Sequence, residues 1–153
     1  MAKLLPNRRD LLLSASAALV APGGARAETR ALTVYKTPWC GCCSGWVTHM
    51  RRAGFNARVV ELEDLAPIRA KYGIKFEQLS CHTGVSGVYA LEGHVPPADV
   101  LRLLKERPKA RALIVPGMPR GSPGMENPQG RREPYDVLLL LADGSTRVFA
   151  RHA

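Results

Sequence analysis

Three of the four cysteines of this chain lie within four consecutive positions, in the segment "TPWCGCCSGWVTHM" at residues 37–50. They are Cys40, Cys42 and Cys43, and the fourth cysteine, Cys81, is distant in sequence. Thiols this close together could bind a metal, exchange electrons with other thiols, or staple the fold as disulfides. Cys40 and Cys43 form a C-x-x-C motif that can close into a disulfide, which would leave Cys42 to pair with Cys81.

The crowding of the three thiols favours metal binding over the other two kinds of chemistry. A disulfide exchanger needs only two thiols, and a third invites scrambling. A tetrahedral zinc is usually held by two separated pairs of ligands, whereas crowded thiolates are suited to bridging the metals of a polynuclear cluster. Soft sulfur ligands select Cu(I). The motif therefore indicates Cu(I) binding, with thiol–disulfide exchange and a structural bridge as the alternatives.

Further donors for such a site come from two other parts of the chain. His82 directly follows Cys81 and is the best placed imidazole. Met118 and Met125 lie in the segment "PGMPRGSPGMENPQGRREP" at residues 116–134, which has the length and irregularity typical of a functional loop. Packing of that loop is the alternative role for both methionines. We therefore predict a metal site formed by Cys40, Cys42, Cys43, Cys81, His82, Met118 and Met125.

Two other histidines are predicted to lie outside the ligand set. His49 follows Cys42 by seven residues, which is about 10.5 Å along a helix and too far for easy binding of the same ion. His94 precedes Pro96 and Pro97 and is interpreted as a loop histidine that hydrogen-bonds to the backbone. The sequence contains no catalytic-triad signature, phosphate-binding loop or nucleotide fingerprint, so we predict no catalytic residue and no organic cofactor.

The elements that would position these residues alternate between strand and helix. Hydrophobic periodicity and Gly/Pro punctuation predict strands at 31–37, 57–62, 86–93 and 110–115, helices at 43–53, 66–72 and 97–108, and a final hairpin at 135–150. This order predicts an α/β fold. The cysteine motif between the first strand and the first helix suggests a thioredoxin-like core (β-α-β-α-β-α-β) with an added C-terminal β-hairpin. The positive end of the first helix would then favour thiolates.

The first 27 residues have the pattern of an export signal. A basic start with Arg8 and Arg9 precedes an apolar run at 11–21, and Ala25-Arg26-Ala27 forms a small-residue cleavage site. The apolar run is shorter than the roughly 20 residues that span a bilayer. We therefore predict one exported metal-binding domain at residues 28–153, with no membrane span after cleavage. Both the twin-arginine route, suggested by "NRRDLLL", and the general secretory route stay open.

The positive charge of the chain does not indicate a nucleic-acid partner. The net charge is +9, and the first 27 residues carry four basic and one acidic residue, which leaves +6 on residues 28–153. The basic residues are scattered and are not interleaved with aromatic residues. We interpret them as a solvated surface and predict no nucleic-acid binding.

Three segments in fixed order, "CGCCSGWVTHM", "SCHTGVSGVYALEGHVP" and "VPGMPRGSPGME", resemble CopG-type proteins, which are exported copper-resistance proteins with a thioredoxin-like fold. The resemblance runs from residue 32 to the last predicted strand. It implies Cu(I) bound by Cys40, Cys42, Cys43 and Cys81, with a multicopper thiolate cluster as one form of the site. It also implies a periplasmic location, a redox role in copper handling, and other periplasmic copper-handling proteins as partners.

The alternative function is a thiol–disulfide oxidoreductase that uses Cys40 and Cys43. One feature counts against this alternative: no proline precedes "GVYALEG", where thioredoxin-like exchangers usually carry a cis-proline beside the reactive thiols.

Overall fold

The computed structural model describes residues 30–153, so the predicted export signal at 1–27 lies outside the described residues. The described part has a mixed α/β architecture, as predicted. Its elements are β1 (Arg30–Lys36), α1 (Gly41–Arg52), β2 (Phe55–Glu61), α2 (Ala66–Tyr72), a short 3-10 helix (Phe76–Gln78), β3 (His82–Ser86), β4 (Tyr89–Glu92), α3 (Pro97–Glu106), β5 (Ala110–Ile114), β6 (Tyr135–Leu141) and β7 (Thr146–His152). Among residues 30–153, no helix combines the length and apolar character needed to cross a membrane.

All seven strands form one sheet in the order β2-β1-β3-β4-β5-β6-β7. The β1–β2 and β4–β5 pairs are parallel, and the other neighbouring pairs are antiparallel. Lys36 at the end of β1 therefore lies opposite His82 at the start of β3, and Glu92 at the end of β4 lies opposite Ile114 at the end of β5. The four chain segments that follow β1, precede β3, follow β4 and follow β5 thus meet at one edge, which we call the thiol edge.

The strand predicted at 86–93 is present as β4 (Tyr89–Glu92), although it begins later than predicted, and an antiparallel strand that was not predicted, β3 (His82–Ser86), precedes it across a turn at Gly87. Gly87 has a φ of 59°, a left-handed conformation that glycine adopts without steric cost. The sequence of β3 does not alternate between apolar and polar residues, because the strand buries the polar side chains of His82 and Thr83. Gly84 also belongs to the buried face, where a Cβ atom would lie 3.0 Å from the Trp46 ring.

Helix α1 begins two residues before its predicted start, at Gly41, and Cys40 is its N-cap. The side chains of Cys43, Trp46, Val47 and Met50 are buried, and this spacing places them on one helical face against the sheet. Cys42 is on a different face of the same first turn and is only half-buried. The local sequence therefore divides the thiols between the core side and the open side of the helix start.

The C-terminal strands β6 and β7 are antiparallel, and Gly144 in the turn between them has a φ of 84°. Residues 115–134 form neither helix nor strand. The largest hydrophobic cluster includes Trp46, Met50, Leu91 and Leu139, so it joins α1 to the middle of the sheet and to β6. The thiol edge therefore lies at one end of this hydrophobic cluster.

Candidate metal centre

All four cysteines meet at the thiol edge. The sulfur of Cys42 lies 3.6 Å from the sulfur of Cys40 and 3.7 Å from that of Cys81. The buried sulfur of Cys43 lies 3.7 Å from the carbonyl oxygen of Cys81. The four sulfur atoms lie within 4.8 Å of one another. The structure therefore brings the distant Cys81 to the other three thiols, because the start of β3 lies beside the end of β1.

The four cysteines are divided into one disulfide and two free thiols. Cys40 and Cys43 form a disulfide, with their Cα atoms 5.6 Å apart. Cys42 and Cys81 are free. Because a metal binds thiolates, use of all four sulfurs as ligands requires reduction of the Cys40–Cys43 bond by two electrons. The same sulfur atoms can therefore serve either ligand binding or disulfide chemistry, depending on their oxidation state.

The N-terminus of α1 is directed at this sulfur cluster. The first N–H groups of a helix lack carbonyl partners within the helix, and the helix dipole places partial positive charge there. Cys40 makes no side-chain hydrogen bond as the N-cap, and there is no acidic residue in the first turn. This end of the helix is therefore available to stabilise negative charge on sulfur.

Two buried histidines extend the cluster on the side of Cys81. The sulfur of Cys81 lies 3.4 Å from Nδ1 of His82 and 3.1 Å from Nε2 of His94. The His82 and His94 rings meet edge to face with their centroids 5.1 Å apart. These three residues form a second group whose possible ligand atoms lie within 4.8 Å of one another. Cys81 belongs to both groups and is the sulfur at which they meet.

His94 is the site residue that sequence reasoning missed. Its Nδ1 atom lies 2.8 Å from the carbonyl oxygen of Pro123, so the predicted bond to the backbone is present. Because a carbonyl only accepts, this bond places the proton on Nδ1 and leaves the lone pair of Nε2 facing the sulfur of Cys81. Metal-binding histidines are commonly oriented by such a bond to their second nitrogen. Burial lowers the pKa of His94, although the Pro123 carbonyl and Glu126 oppose this change.

His82 is a neutral imidazole in a dry environment. Burial is the main cause that lowers its pKa to about 3, and the electrostatic influence of His94 and Arg69 adds to this effect. Its ring centroid lies 4.4 Å from that of Trp46. Among the described residues, its buried Nε2 atom has no hydrogen-bond partner. An unsatisfied buried nitrogen costs about 1–3 kcal/mol, which a bound ligand or water could offset.

The thiol of Cys81 is held in its protonated form. Its pKa is raised to about 12, first by burial and then by the charge and hydrogen bond of Cys42. A metal ion that binds this sulfur must therefore displace a proton at any pH near neutrality.

Besides the bond from Pro123 to His94, the segment at 116–134 adjoins the thiol edge near each of its two methionines. Near Met118, the N–H of Gly117 donates to the carbonyl of Leu79 at 3.0 Å, and the Ser80 hydroxyl donates to the Gly117 carbonyl. Near Met125, Gly124 lies so close to α1 that a Cβ atom would be 2.5 Å from the Trp46 nitrogen. The backbone at both methionines therefore adjoins segments that carry thiols, and the Met118 side chain is about half exposed.

His49 lies apart from the sulfur cluster and pairs with a residue of the same segment. Its Nε2 atom lies 2.5 Å from Oε1 of Glu126. It therefore contributes a second attachment of the 116–134 segment to α1.

The fold and the site together define a mixed α/β protein with a sulfur- and imidazole-rich candidate metal centre at one edge of its sheet. A family model described as protein of unknown function, DUF411, matches residues 78–125, which include Cys81, His82 and His94 but not the cysteine trio. No curated protein matches the chain.

Two solved structures match over most of the chain. A structure named copper resistance protein CopG, form 2, has 38% identity and a TM-score of 0.78, with 82% of this chain and 100% of that chain covered. Form 1 of the same protein has 38% identity and a TM-score of 0.77, with 82% and 98% covered. The chain belongs to the copper resistance protein CopG family, as its three motifs predict.

Proposed function

We propose that this protein binds Cu(I) in copper resistance and homeostasis. The convergence of three other cysteine sulfurs and two imidazole rings on Cys81 carries this proposal, because a donor set of this softness is suited to Cu(I). The proposed ligands are the four cysteines together with His82. His94 joins them because its Nε2 atom is the nitrogen closest to the Cys81 sulfur.

The spacing of the donors favours more than one copper ion. The sulfur of Cys81 lies within 3.7 Å of the Cys42 sulfur and of one nitrogen of each histidine. A thiolate between two donor groups can bridge metals, which supports a multicopper thiolate cluster. Met118 and Met125 are proposed as additional thioether ligands, since the 116–134 segment that carries them is attached beside the thiols.

We also propose that the first part of the domain is a thioredoxin-like core. In support, β1-α1-β2 is followed by β3-β4-α3, and the strands have the order β2-β1-β3-β4 with β3 antiparallel to its neighbours. β6 and β7 would then be an added hairpin beyond β5.

A periplasmic location after removal of residues 1–27 is supported by the signal-like pattern of those residues and by a disulfide suited to an oxidising compartment. Copper ions and other periplasmic copper-handling proteins are the proposed partners.

The decisive experiment is an anaerobic Cu(I) titration of the fully reduced protein against a competing chelator. We expect more than one tightly bound Cu(I) per chain. Cys42→Ser should lower both the metal ratio and the affinity, because the Cys42 sulfur lies between those of Cys40 and Cys81. Thr48→Ala is the matched control, since this exposed side chain lies on α1 and bonds only to the Ser44 carbonyl. Unchanged binding by Cys42→Ser would contradict the proposal.

A second candidate function is thiol–disulfide or copper oxidoreduction by the Cys40–Cys43 pair. The disulfide at the start of α1 favours it. Reduction of this bond takes up two electrons and two protons and creates two more sulfur ligands, so redox state and copper capacity would be coupled. The residue before β3 is Cys81 rather than a proline, which counts against a general exchanger. Insulin reduction above background would support the exchanger, and its absence would exclude that version.

A further inference from the structure

A buried ion pair lies behind the thiol edge. Glu92, the last residue of β4, has a fully buried side chain, and the side chain of Arg69 in α2 is only 15% exposed. Nη2 of Arg69 lies 2.8 Å from Oε1 of Glu92. A buried ion pair adds little net stability on average, because desolvation offsets much of the attraction. Some function other than stability must therefore be considered for this pair.

The ion pair holds both backbone polar groups of the residue that precedes Cys81. The N–H of Ser80 donates to Oε1 of Glu92 at 2.8 Å, and Nη2 of Arg69 donates to the Ser80 carbonyl at 2.6 Å. On the other side of Cys81, the hydroxyl of Thr83 donates to Oε2 of Glu92 at 2.6 Å. One carboxylate therefore binds the chain before and after the Cys81–His82 pair.

This attachment matters because Ser80 and Cys81 lie outside the sheet. Neither residue belongs to a helix or strand, so no backbone ladder determines the position of the Cys81 sulfur. Within α2 (Ala66–Tyr72), no residue is fully buried, although Tyr72 at its end packs against a small core cluster. The remaining contacts of Ser80 are a hydroxyl bond to Gly117 and a 3.9 Å contact with the Cys81 sulfur.

We propose that Arg69 and Glu92 are positioning residues that hold the Cys81 sulfur within reach of the Cys42 sulfur. This inference rests on the proposed function, since it assigns the pair a part in assembling the copper ligands. Neither side chain is itself proposed as a ligand. The pair acts through the backbone of Ser80 and through Thr83.

The first test needs no copper. In a Cys40→Ser/Cys43→Ser background, the Cys42–Cys81 dithiol is equilibrated with oxidised glutathione, which gives one protein disulfide and two molecules of reduced glutathione. The equilibrium constant measures how well the two sulfurs are held together. Glu92→Gln keeps the side-chain volume but removes the charge that binds Arg69, so we expect the constant to fall by at least about tenfold.

Asp99→Asn is the matched control for this test. Asp99 is also a nearly buried carboxylate with a side-chain partner, His152 at 2.7 Å, but it lies on α3 and its partner is at the end of β7 rather than beside Cys81. Its substitution should change the glutathione equilibrium constant by less than about twofold. If the pair of Arg69 and Glu92 were merely structural, Glu92→Gln would lower the stability of the protein but would leave the glutathione equilibrium constant unchanged.

The second test measures Cu(I) affinity with all four cysteines present. Glu92→Gln and Arg69→Lys should each weaken Cu(I) binding by at least about tenfold relative to Asp99→Asn. Arg69→Lys keeps the charge but loses the planar guanidinium, so it supplies both measurements if Glu92→Gln does not fold. A glutathione constant within twofold of the control would overturn the positioning role. Failure of the unsubstituted protein to bind copper would overturn the proposed function, while the glutathione test would still decide on positioning.

Discussion

Two regions of the same sheet pair their polar side chains in opposite ways. In the C-terminal region, formed by α3, β6 and β7, Nε2 of His152 lies 2.7 Å from the carboxylate of Asp99. In the same region, the guanidinium of Arg102 donates to the Phe149 carbonyl and covers the Phe149 ring at 3.6 Å. Each of these polar side chains has a conventional partner.

At the thiol edge, the polar groups face one another instead. The Cys81 sulfur is 3.4 Å and 3.1 Å from nitrogens of His82 and His94, and Nε2 of His82 lacks a partner among residues 30–153. In the described part of the chain, neither of these imidazoles contacts a carboxylate as His152 contacts Asp99, and Glu126 acts on His94 only through its charge. A histidine paired with a carboxylate can stabilise the fold, whereas a neutral histidine that faces sulfur has a ring nitrogen that can bind a ligand.

The largest expected effect is the dependence of Cu(I) affinity on pH. Because the pKa of Cys81 is raised to about 12, this thiol is protonated throughout the neutral range, and copper binding must release its proton. Lowering the pH therefore favours the metal-free form, and raising the pH favours the bound form. This proton should contribute about tenfold in Cu(I) affinity per pH unit, or about a thousandfold between about pH 5.5 and 8.5.

The measurement is Cu(I) competition at each pH, corrected for protonation of the chelator. Cys81→Ser is the control, because its plot of log affinity against pH should have a slope lower by about one. Equal slopes for the two proteins would show that Cys81 releases no proton when Cu(I) binds. Cys81 would then not be a copper ligand, and the contrast between the two regions would fail.

A smaller effect is expected from His94→Ala. The loss of a nitrogen 3.1 Å from the Cys81 sulfur should weaken Cu(I) binding by about 10–100-fold. His49→Ala is the matched control, since His49 also contacts the 116–134 segment, through Glu126, but lies away from the sulfurs. Chelator competition should therefore separate the two variants. Equal affinities would mean that His94 only attaches the segment through Pro123.

The local parts of this arrangement could be predicted from the sequence. The bounds of α2 agree with the prediction, because Pro67 lies in its first turn and Gly73 at its end adopts a φ of 70°. The cysteine trio was expected between the first strand and the first helix; Cys40 lies there as the N-cap, whereas Cys42 and Cys43 lie in the first turn of α1. These features depend on residues that are neighbours in the chain.

The parts that depend on tertiary contacts could not be predicted in this way. The β3 strand was missed because His82, Thr83 and Gly84 do not alternate between apolar and polar residues. His82 and Thr83 are nevertheless buried, and the Trp46 ring leaves no room for a side chain at Gly84. Without β3, nothing in the pattern placed His94 beside Cys81. The pairing of Arg69 with Glu92 was also missed, since an ion pair between α2 and β4 leaves no local signal.

The smallest effect should come from His152→Ala, which tests the structural side of the comparison. The substitution leaves the Asp99 carboxylate, 7% exposed, without its imidazole partner and removes the ring that stacks on Tyr135. We expect the free energy of unfolding of the metal-free protein to fall by about 1–2 kcal/mol. Thermal or denaturant unfolding measures this change.

Arg151→Ala is the control for this last substitution, because Arg151 is 79% exposed and its pair with Asp136 is 3.5 Å long. A surface pair of this kind contributes about 0–1 kcal/mol, so Arg151→Ala should destabilise the protein less than His152→Ala does. Neither variant should change the Cu(I) affinity. If His152→Ala weakened copper binding as much as His94→Ala, pairing with a carboxylate would no longer distinguish a structural histidine from a ligand in this protein.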